Sequence, residues 1–152
     1  MQKKQEIGIV KKQDISENQV KIIFLGLGSN IGNRKKNLEK AKYLLSSNKV
    51  DIIKVSSYYE TYSWPNKNFP KYLNIVIKGR TNLNPKKIFI LAKNIEKLIG
   101  RKKTKKNYPR TCDIDILDYN KKSISLNVDN NKLEIPHPRM HYRNFVLLPL
   151  FE

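Results

Sequence analysis

The sequence predicts an α+β fold in which an antiparallel sheet carries two helices on one face. Two segments have apolar residues at helical spacing, and short segments rich in β-branched residues lie between and around them. The resulting order is β-α-β-β-α-β, followed by a C-terminal tail. That order is typical of the ferredoxin-like sandwich, and 152 residues suit one domain of this kind.

In the first half of the chain, the opening strand is predicted over Val20–Leu27, a short apolar run. The glycines and asparagines that follow indicate a tight turn, with Asn30 as the cap of the next helix. That helix is predicted over Arg34–Ser47, because its leucines and Ala41 recur on one face. A β-prone segment, Lys54–Thr61, comes next and precedes a loop with two prolines.

The second half of the chain is also predicted to alternate between strands and a helix. Tyr72–Arg80 alternates as a strand does, and Asn84 then caps a helix with Pro85 at its first position. Gly100 is the expected stop of that helix, after which a basic loop leads to a strand over Thr111–Tyr119.

The two ends of the chain lie outside this βαββαβ core. Residues 1–19 show no sustained period and no apolar stretch of a signal peptide, so they are expected to be a disordered arm, a tag remnant or a linker. Lys121–Lys132 is polar and rich in turn residues, which indicates a hairpin, and Asn144–Leu150 is a short apolar closing segment. Residues 20–152 therefore form the predicted domain.

The composition limits the classes of function. The chain has 31 Lys and Arg against 13 Asp and Glu, a formal net charge of +18. Lysines are spread along the whole chain, which favours a solvated surface but leaves open a polyanionic partner or a nucleoside triphosphate. Cys112 is the single cysteine, so an intramolecular disulfide is excluded and a cytoplasmic location is expected. No apolar run approaches the ~18 residues of a membrane span.

Two acids and two arginines carry the strongest chemical signal. Asp113 and Asp115 are two apart on a predicted strand, so both carboxylates face the same way and could share Mg²⁺. Arg101 and Arg110 bracket them in a chain with only six arginines, and guanidinium groups suit phosphate. Carboxylates for a metal beside cations for phosphate oxygens are what phosphoryl transfer requires. The alternative to a metal and phosphate site is that the two acids face solvent and lie next to a solvated basic loop.

Three further side chains are candidate ligand contacts, and each has two possible interpretations. His137 lies between two prolines in a stiff loop, where it either contacts a ligand or has no role. Tyr72 and Phe145 are either core residues or flat rings that stack on a heterocycle.

Several segments together resemble one family, the 6-hydroxymethyl-7,8-dihydropterin pyrophosphokinases of folate biosynthesis. The resemblance covers roughly residues 20–152. The matching segments, in chain order, are GLGSNIG at 26–32, VSSYYET at 55–61, YLN at 72–74, PRTCDIDIL at 109–117, IPHPR at 135–139 and RNFVL at 143–147. The PRTCDIDIL and IPHPR segments together are highly specific for this family, which has the ferredoxin-like fold.

The resemblance implies an enzyme that transfers the terminal diphosphate of ATP to the hydroxymethyl oxygen of the pterin and releases AMP. Two Mg²⁺ ions would be held by Asp113 and Asp115, with Arg101 and Arg110 as the other catalytic residues. The implied nucleotide contacts are Arg101, Lys103, Arg110, Ile116, Lys132, His137 and Arg143. The implied pterin contacts are Thr61, Trp64, Tyr72, Asn74 and Phe145. Glu96 matches an acidic position of the family without a clear role.

Two other classes of function stay open at this point. One is a basic ferredoxin-like domain that binds nucleic acid, supported by the net charge of +18 but lacking the aromatic signature of such domains. The other is a non-catalytic domain of a fused folate protein. The expected partners are the two small substrates, and a fused or associated dihydropteroate synthase; neither a nucleic acid nor a membrane is expected.

Overall fold

The computed structural model describes residues 19–152, apart from the side chains of residues 141, 144 and 145. Residues 1–18 of the predicted N-terminal arm lie outside the described residues. The elements follow one another as β1 (Lys21–Ser29), α1 (Arg34–Ser46), β2 (Asp51–Val55), β3 (Tyr59–Thr61), β4 (Tyr72–Thr81), α2 (Pro85–Leu98), β5 (Asp113–Tyr119), β6 (Ile124–Val128), β7 (Asn131–Ile135), a 3₁₀ turn (Met140–Tyr142) and α3 (Asn144–Phe151).

The main sheet is antiparallel, with the strand order β2–β4–β1–β5, and β3 also pairs with β4. The two longer helices, α1 and α2, contact each other and bury their apolar faces against the sheet. Ile23, Leu25 and Leu27 of β1 are fully or almost fully buried in that interface. Because side chains alternate along a strand, the residues between them project from the opposite face of the sheet. The predicted α+β class, with helices packed on an antiparallel sheet, is confirmed.

The first strand is longer than predicted and contains the glycines that were expected to end it. Gly26 and Gly28 lie inside β1 and pair with β4 on one side and β5 on the other. The expected cap of α1 was also wrong, because Asn33 and not Asn30 accepts a hydrogen bond from the Lys36 N–H (3.0 Å). Asn30 precedes the helix and contacts two distant loops instead.

The predicted strand Lys54–Thr61 is divided in two and begins earlier, at Asp51. Ser56 lies at the division, where its backbone N–H donates to the Val76 carbonyl and its Oγ accepts from the Val76 N–H (2.9 Å each). A serine hydroxyl here replaces a backbone carbonyl, so the edge strand is interrupted although the chain still follows β4.

The other predicted elements agree closely with the structure. Helix α2 begins at Pro85, Asn84 accepts from the Lys87 N–H (2.9 Å), and Gly100 follows its end at a φ of 88°. Strand β5 begins two residues later than predicted, at Asp113. No helix within the described residues is long and apolar enough to span a bilayer.

The C-terminal region contains a hairpin over Ile124–Ile135, shifted along the chain from the predicted Lys121–Lys132, and a helix. Strands β6 and β7 pair around Asp129 and Asn130, whose φ values of 47° and 63° suit a tight hairpin turn. Helix α3 places Val146 against Val76 and Leu117, on the face of the sheet opposite α1 and α2. The two faces of the sheet are therefore covered differently, and the part of this second face beside α3 remains open.

Candidate active site

The floor of the candidate site is the glycine-containing end of β1. Gly28 pairs with Asn74 of β4 and with Asp113 of β5, and Gly26 pairs in the same way with Val76 and Asp115. Residues directly opposite one another across antiparallel strands project from the same face. The two glycines therefore lie between an amide and two carboxylates, all directed to the open face of the sheet.

Gly28 has no space for a side chain. A Cβ at this position would lie 2.9 Å from the Asn74 Oδ1 and 3.3 Å from the Tyr72 Cδ1. The ring of Tyr72 and the amide of Asn74 thus pack directly over the backbone of β1, which only glycine permits.

Above this floor lies an open cleft. It brings together eight of the residues that the sequence predicted, from both substrate sets. These are Thr61, Trp64, Tyr72, Asn74, Arg110, Asp113, Asp115 and Arg143. Tyr62 and Asn107, which sequence reasoning did not assign to the site, also line it.

On one side of the cleft, the amide of Asn74 is held in a fixed orientation. Asn74 is 6% exposed, and its Nδ2 donates to the Thr61 Oγ1 (2.9 Å). Its Oδ1 is then free to accept from a ligand on the open side, above Gly28. Trp64 is 60% exposed at the rim. The side chain of Phe145, the predicted second ring, lies outside the described residues.

On the other side, the two carboxylates have different environments. The Asp113 Oδ1 lies 2.9 Å from the Arg101 Nη1 and 3.8 Å from the Arg110 Nη1. Burial raises the pKa of Asp113, but the two guanidinium groups outweigh it and hold that pKa below its usual value. The Asp115 Oδ2 lies 3.9 Å from the His137 Nε2, and the positive charges of Lys93 and Arg143 act to lower the pKa of Asp115. Burial and the charge of Asp113 together raise the pKa of Asp115 to about 7.

Glu96 has a role that the sequence did not assign. It is 3% exposed on α2, and its Oε1 accepts from the Ile114 N–H and pairs with the Arg101 Nη1 (2.9 Å each). Lys93 lies 3.1 Å from its Oε2. Burial raises the pKa of Glu96, although Lys93 and Arg101 oppose the shift. Its position among the apolar residues of one helical face was the available signal.

A second cleft adjoins the first at Asp115, which lines both. It is lined by three of the predicted nucleotide contacts, Ile116, Lys132 and His137. Burial and the charges of Arg143 and Arg139 lower the pKa of His137 to about 4, so the ring is neutral near pH 7. Its Nδ1 accepts from the Arg139 N–H (3.2 Å), which leaves the proton on Nε2, directed towards Asp115.

Lys103 is separated from both clefts. It lies in a shallow depression beside Arg101 and Lys93, formed by the basic loop and α2. Among the described residues, no group of three or more His, Cys, Asp or Glu side chains could hold a metal ion. Any cation at this site would therefore take most of its ligands from water or from a bound phosphate.

Comparison with known proteins points to one family. A model of the family described as 7,8-dihydro-6-hydroxymethylpterin-pyrophosphokinase (HPPK) matches residues 24–152. The 2-amino-4-hydroxy-6-hydroxymethyldihydropteridine pyrophosphokinase of Bacillus subtilis is 40% identical over 132 residues, which are 86% of this chain and 77% of the relative. The enzyme of the same name from Aquifex aeolicus is 38% identical over 130 residues, 86% of this chain and 78% of the relative.

Longer proteins match as well. The mitochondrial folate synthesis bifunctional protein of Arabidopsis thaliana is 38% identical over 130 residues, but this chain spans only 23% of its length. A crystal structure of a Plasmodium falciparum HPPK-DHPS triple mutant superposes with a TM-score of 0.72 at 20% identity. The match covers 96% of this chain and 42% of the Plasmodium chain. At that identity the likeness shows a shared fold.

Proposed function

The chain belongs to the 7,8-dihydro-6-hydroxymethylpterin-pyrophosphokinase family, and we propose that the two adjoining clefts carry out the reaction of that family. The protein is an ATP-dependent enzyme of folate synthesis. It transfers diphosphate from ATP to the hydroxymethyl oxygen of 6-hydroxymethyl-7,8-dihydropterin and releases AMP. The observation that carries the proposal is the position of Arg110, Asp113 and Asp115 in one cleft with Tyr72 and Asn74.

The pterin binds over the glycine floor. Tyr72 offers one face of an aromatic ring, and Phe145 is proposed as a second aromatic contact of the ligand. The Oδ1 of Asn74 accepts from the polar edge of the heterocycle, because the hydrogen bond from Nδ2 to the Thr61 Oγ1 fixes the amide with Oδ1 above Gly28. Trp64, at the rim, limits the access of water.

The nucleotide binds along the second cleft, with its triphosphate directed towards Asp115. Ile116, Lys132 and His137 line this cleft. The neutral His137 can donate from Nε2 to a phosphate oxygen, and Arg143 reaches the boundary from the first cleft. Lys103 is proposed to contact the nucleotide only if the basic loop moves inwards, since it lies outside both clefts.

Asp113 and Asp115 fit the ligands of Mg²⁺. Both are hard oxygen donors on one face of β5, and Asp113 remains ionised because its pKa is lowered. We propose that the pair holds two ions. When bound, Mg²⁺ supplies positive charge that stabilises the negative charge on the phosphate oxygens during transfer.

The arginines supply the remaining positive charge. Arg101 lies between Glu96 and Asp113, and Arg110 lies between Tyr72 and Asp113. Their guanidinium groups can orient the β- and γ-phosphates relative to the hydroxymethyl oxygen and neutralise charge there. Orientation and charge stabilisation are the main requirements of phosphoryl transfer.

The proposal also includes a ferredoxin-like core, the bounds of the enzyme domain and a partner enzyme. The strand order β2–β4–β1–β5 supports a ferredoxin-like core, and the matched range supports residues 20–152 as the enzyme domain. A fused or associated dihydropteroate synthase is supported by the HPPK-DHPS chains of Plasmodium falciparum. The cytoplasmic location stays a prediction.

The proposal is tested by measuring AMP release from ATP and Mg²⁺ with and without the reduced hydroxymethylpterin. We expect one AMP and one pterin diphosphate per turnover, and no AMP when the pterin is omitted. Asp118→Ala is a matched control, since Asp118 lies on the same strand but lines neither cleft. AMP release that does not depend on the pterin would contradict the assignment.

A further inference from the structure

Arg110 is held by residues outside its own loop. The Arg110 N–H donates to the Asn30 Oδ1 (2.8 Å), and the Asn30 N–H donates to the Arg110 carbonyl (3.1 Å). Asn30 is 2% exposed, and its Nδ2 also donates to the Pro70 carbonyl (3.1 Å). The backbone of Arg110 is therefore fixed by a buried side chain at the end of β1, and not by the basic loop that precedes it.

The side chain of Arg110 has a separate contact. Its Nε donates to the hydroxyl oxygen of Tyr72 (2.8 Å), and its guanidinium carbon lies 5.9 Å from the centre of the same ring. The ring itself is fixed from below, because it packs on the backbone of Gly28. Tyr72 is thus a rigid acceptor placed at the inner nitrogen of the guanidinium group.

Resting on the proposed function, we propose that the hydroxyl of Tyr72 is a positioning group for Arg110. Tyr72 occupies Nε, so the two terminal nitrogens of Arg110 remain available to the phosphates. One of them already lies 3.8 Å from the Asp113 Oδ1, at the boundary between the two substrates. The ring of Tyr72 and its hydroxyl then have different tasks: the ring binds the pterin, and the hydroxyl orients the arginine that acts on ATP.

This division of tasks predicts a separation of kinetic effects in Tyr72→Phe, which keeps the ring and removes the hydroxyl. We expect kcat to fall about tenfold, because a misplaced guanidinium loses stabilisation of the transition state. The dissociation constant of the pterin should stay within about twofold of the wild-type value, since stacking needs only the ring. In an Arg110→Ala background, Tyr72→Phe should cause no further loss of kcat.

Tyr119→Phe is the matched control. Tyr119 is buried on β5, and its hydroxyl donates to the Leu83 carbonyl (2.9 Å) away from the clefts. Tyr119→Phe also deletes a buried tyrosine hydroxyl, so this variant reproduces any loss of stability that is not specific to the site. We expect wild-type kcat in this variant. Tyr72→Phe with wild-type kcat, or with an equal loss in the Arg110→Ala background, would overturn the proposal.

A second measurement does not depend on the enzymatic assignment. The Nε–H groups of the six arginines can be observed by ¹⁵N NMR, and Arg110→Lys identifies the signal of Arg110. We expect that signal to be protected from exchange in the wild type and in Tyr119→Phe, and to lose protection in Tyr72→Phe. Equal protection in all three would overturn the positioning role, whereas failure of the pterin-dependent AMP assay would overturn only the proposed function.

Discussion

Gly28→Ala tests the idea that the backbone of β1 is the floor of the pterin site. The added Cβ would lie 2.9 Å from the Asn74 Oδ1, whereas ordinary contacts begin at 3.4 Å, so one of the two groups must move by about 0.5 Å. Asn74 cannot easily move, because it is buried and its Nδ2 is bonded to Thr61. The Cβ would also press on Tyr72 at 3.3 Å. Tyr72 and Asn74, two of the proposed pterin contacts, are therefore both displaced by one methyl group.

Two effects of different size are expected from this substitution. Overpacking of this kind destabilises a fold by about 1–3 kcal/mol, and the loss of chain entropy in the unfolded state offsets about 0.4–1 kcal/mol of it. A displaced amide leaves the polar edge of the pterin without its partner, which costs a further 1–3 kcal/mol or so in binding. We thus expect a modest decrease in Tm and a loss of pterin affinity of roughly 5- to 150-fold.

Gly79→Ala provides the matched control. Gly79 is also a strand glycine, on β4, and its Cβ would lie 3.1 Å from the Val50 Cγ1 and 3.3 Å from the Asp51 carbonyl oxygen. It is distant from the cleft, at the end of β4 that pairs with β2. We expect a similar decrease in Tm with unchanged pterin binding by calorimetry. Wild-type pterin affinity in Gly28→Ala would refute the reasoning, and so would an equal loss in Gly79→Ala.

Three other outcomes are expected. Replacing Asp113 or Asp115 with Ala should lower kcat at least about 1,000-fold by removing charge stabilisation worth several kcal/mol, while the control Asp118→Ala should retain turnover. Near-normal rates in both the Asp113→Ala and the Asp115→Ala variants at saturating Mg²⁺ would contradict the metal assignment. Trp64 is the single tryptophan and lines the cleft, so a pterin should quench its emission and shift it to shorter wavelength, and unchanged emission at saturating pterin would count against its position. Burial raises the pKa of the Cys112 thiol from 9.0 to about 12, which lowers its thiolate fraction about 1,000-fold at pH 8. Labelling of Cys112 by a thiol-reactive reagent should therefore require unfolding, and rapid labelling in the native protein would contradict the burial of this thiol. Since the unfolded thiol ionises near 9.0 and the folded one near 12, this group also makes the native state less stable as the pH rises through that interval.

Local patterns in the sequence were sufficient for the order and type of most elements. Helix α2 was predicted from its apolar face, its Asn84 cap and the glycine after its end, all of which depend on residues close together in the chain. The same holds for Asp113 and Asp115, because a spacing of two on a strand sets their common face wherever the strand lies. Motif resemblance added the substrates, which no local pattern could supply.

The tertiary structure decided the features that depend on register between distant strands. The glycines of β1 were interpreted as a turn, because turn and strand glycines look alike without knowledge of the neighbouring strands. Only the pairing of Gly28 with Asn74 and Asp113 reveals the floor of a site. The division of the edge strand at Ser56 likewise depends on a hydrogen bond to Val76, twenty positions away.

The sequence by itself therefore determined the class of fold, the order of most elements and the face that carries the acids, since these follow from periodicity and from residue conformational preference. It did not determine the role of Asn30, which contacts Arg110 across 80 positions, or that of Glu96, which contacts Ile114 across 18. Such contacts form when loops and strands dock. A polar side chain has the same local preferences whether it caps a helix or binds another loop, so only the three-dimensional arrangement distinguishes the two.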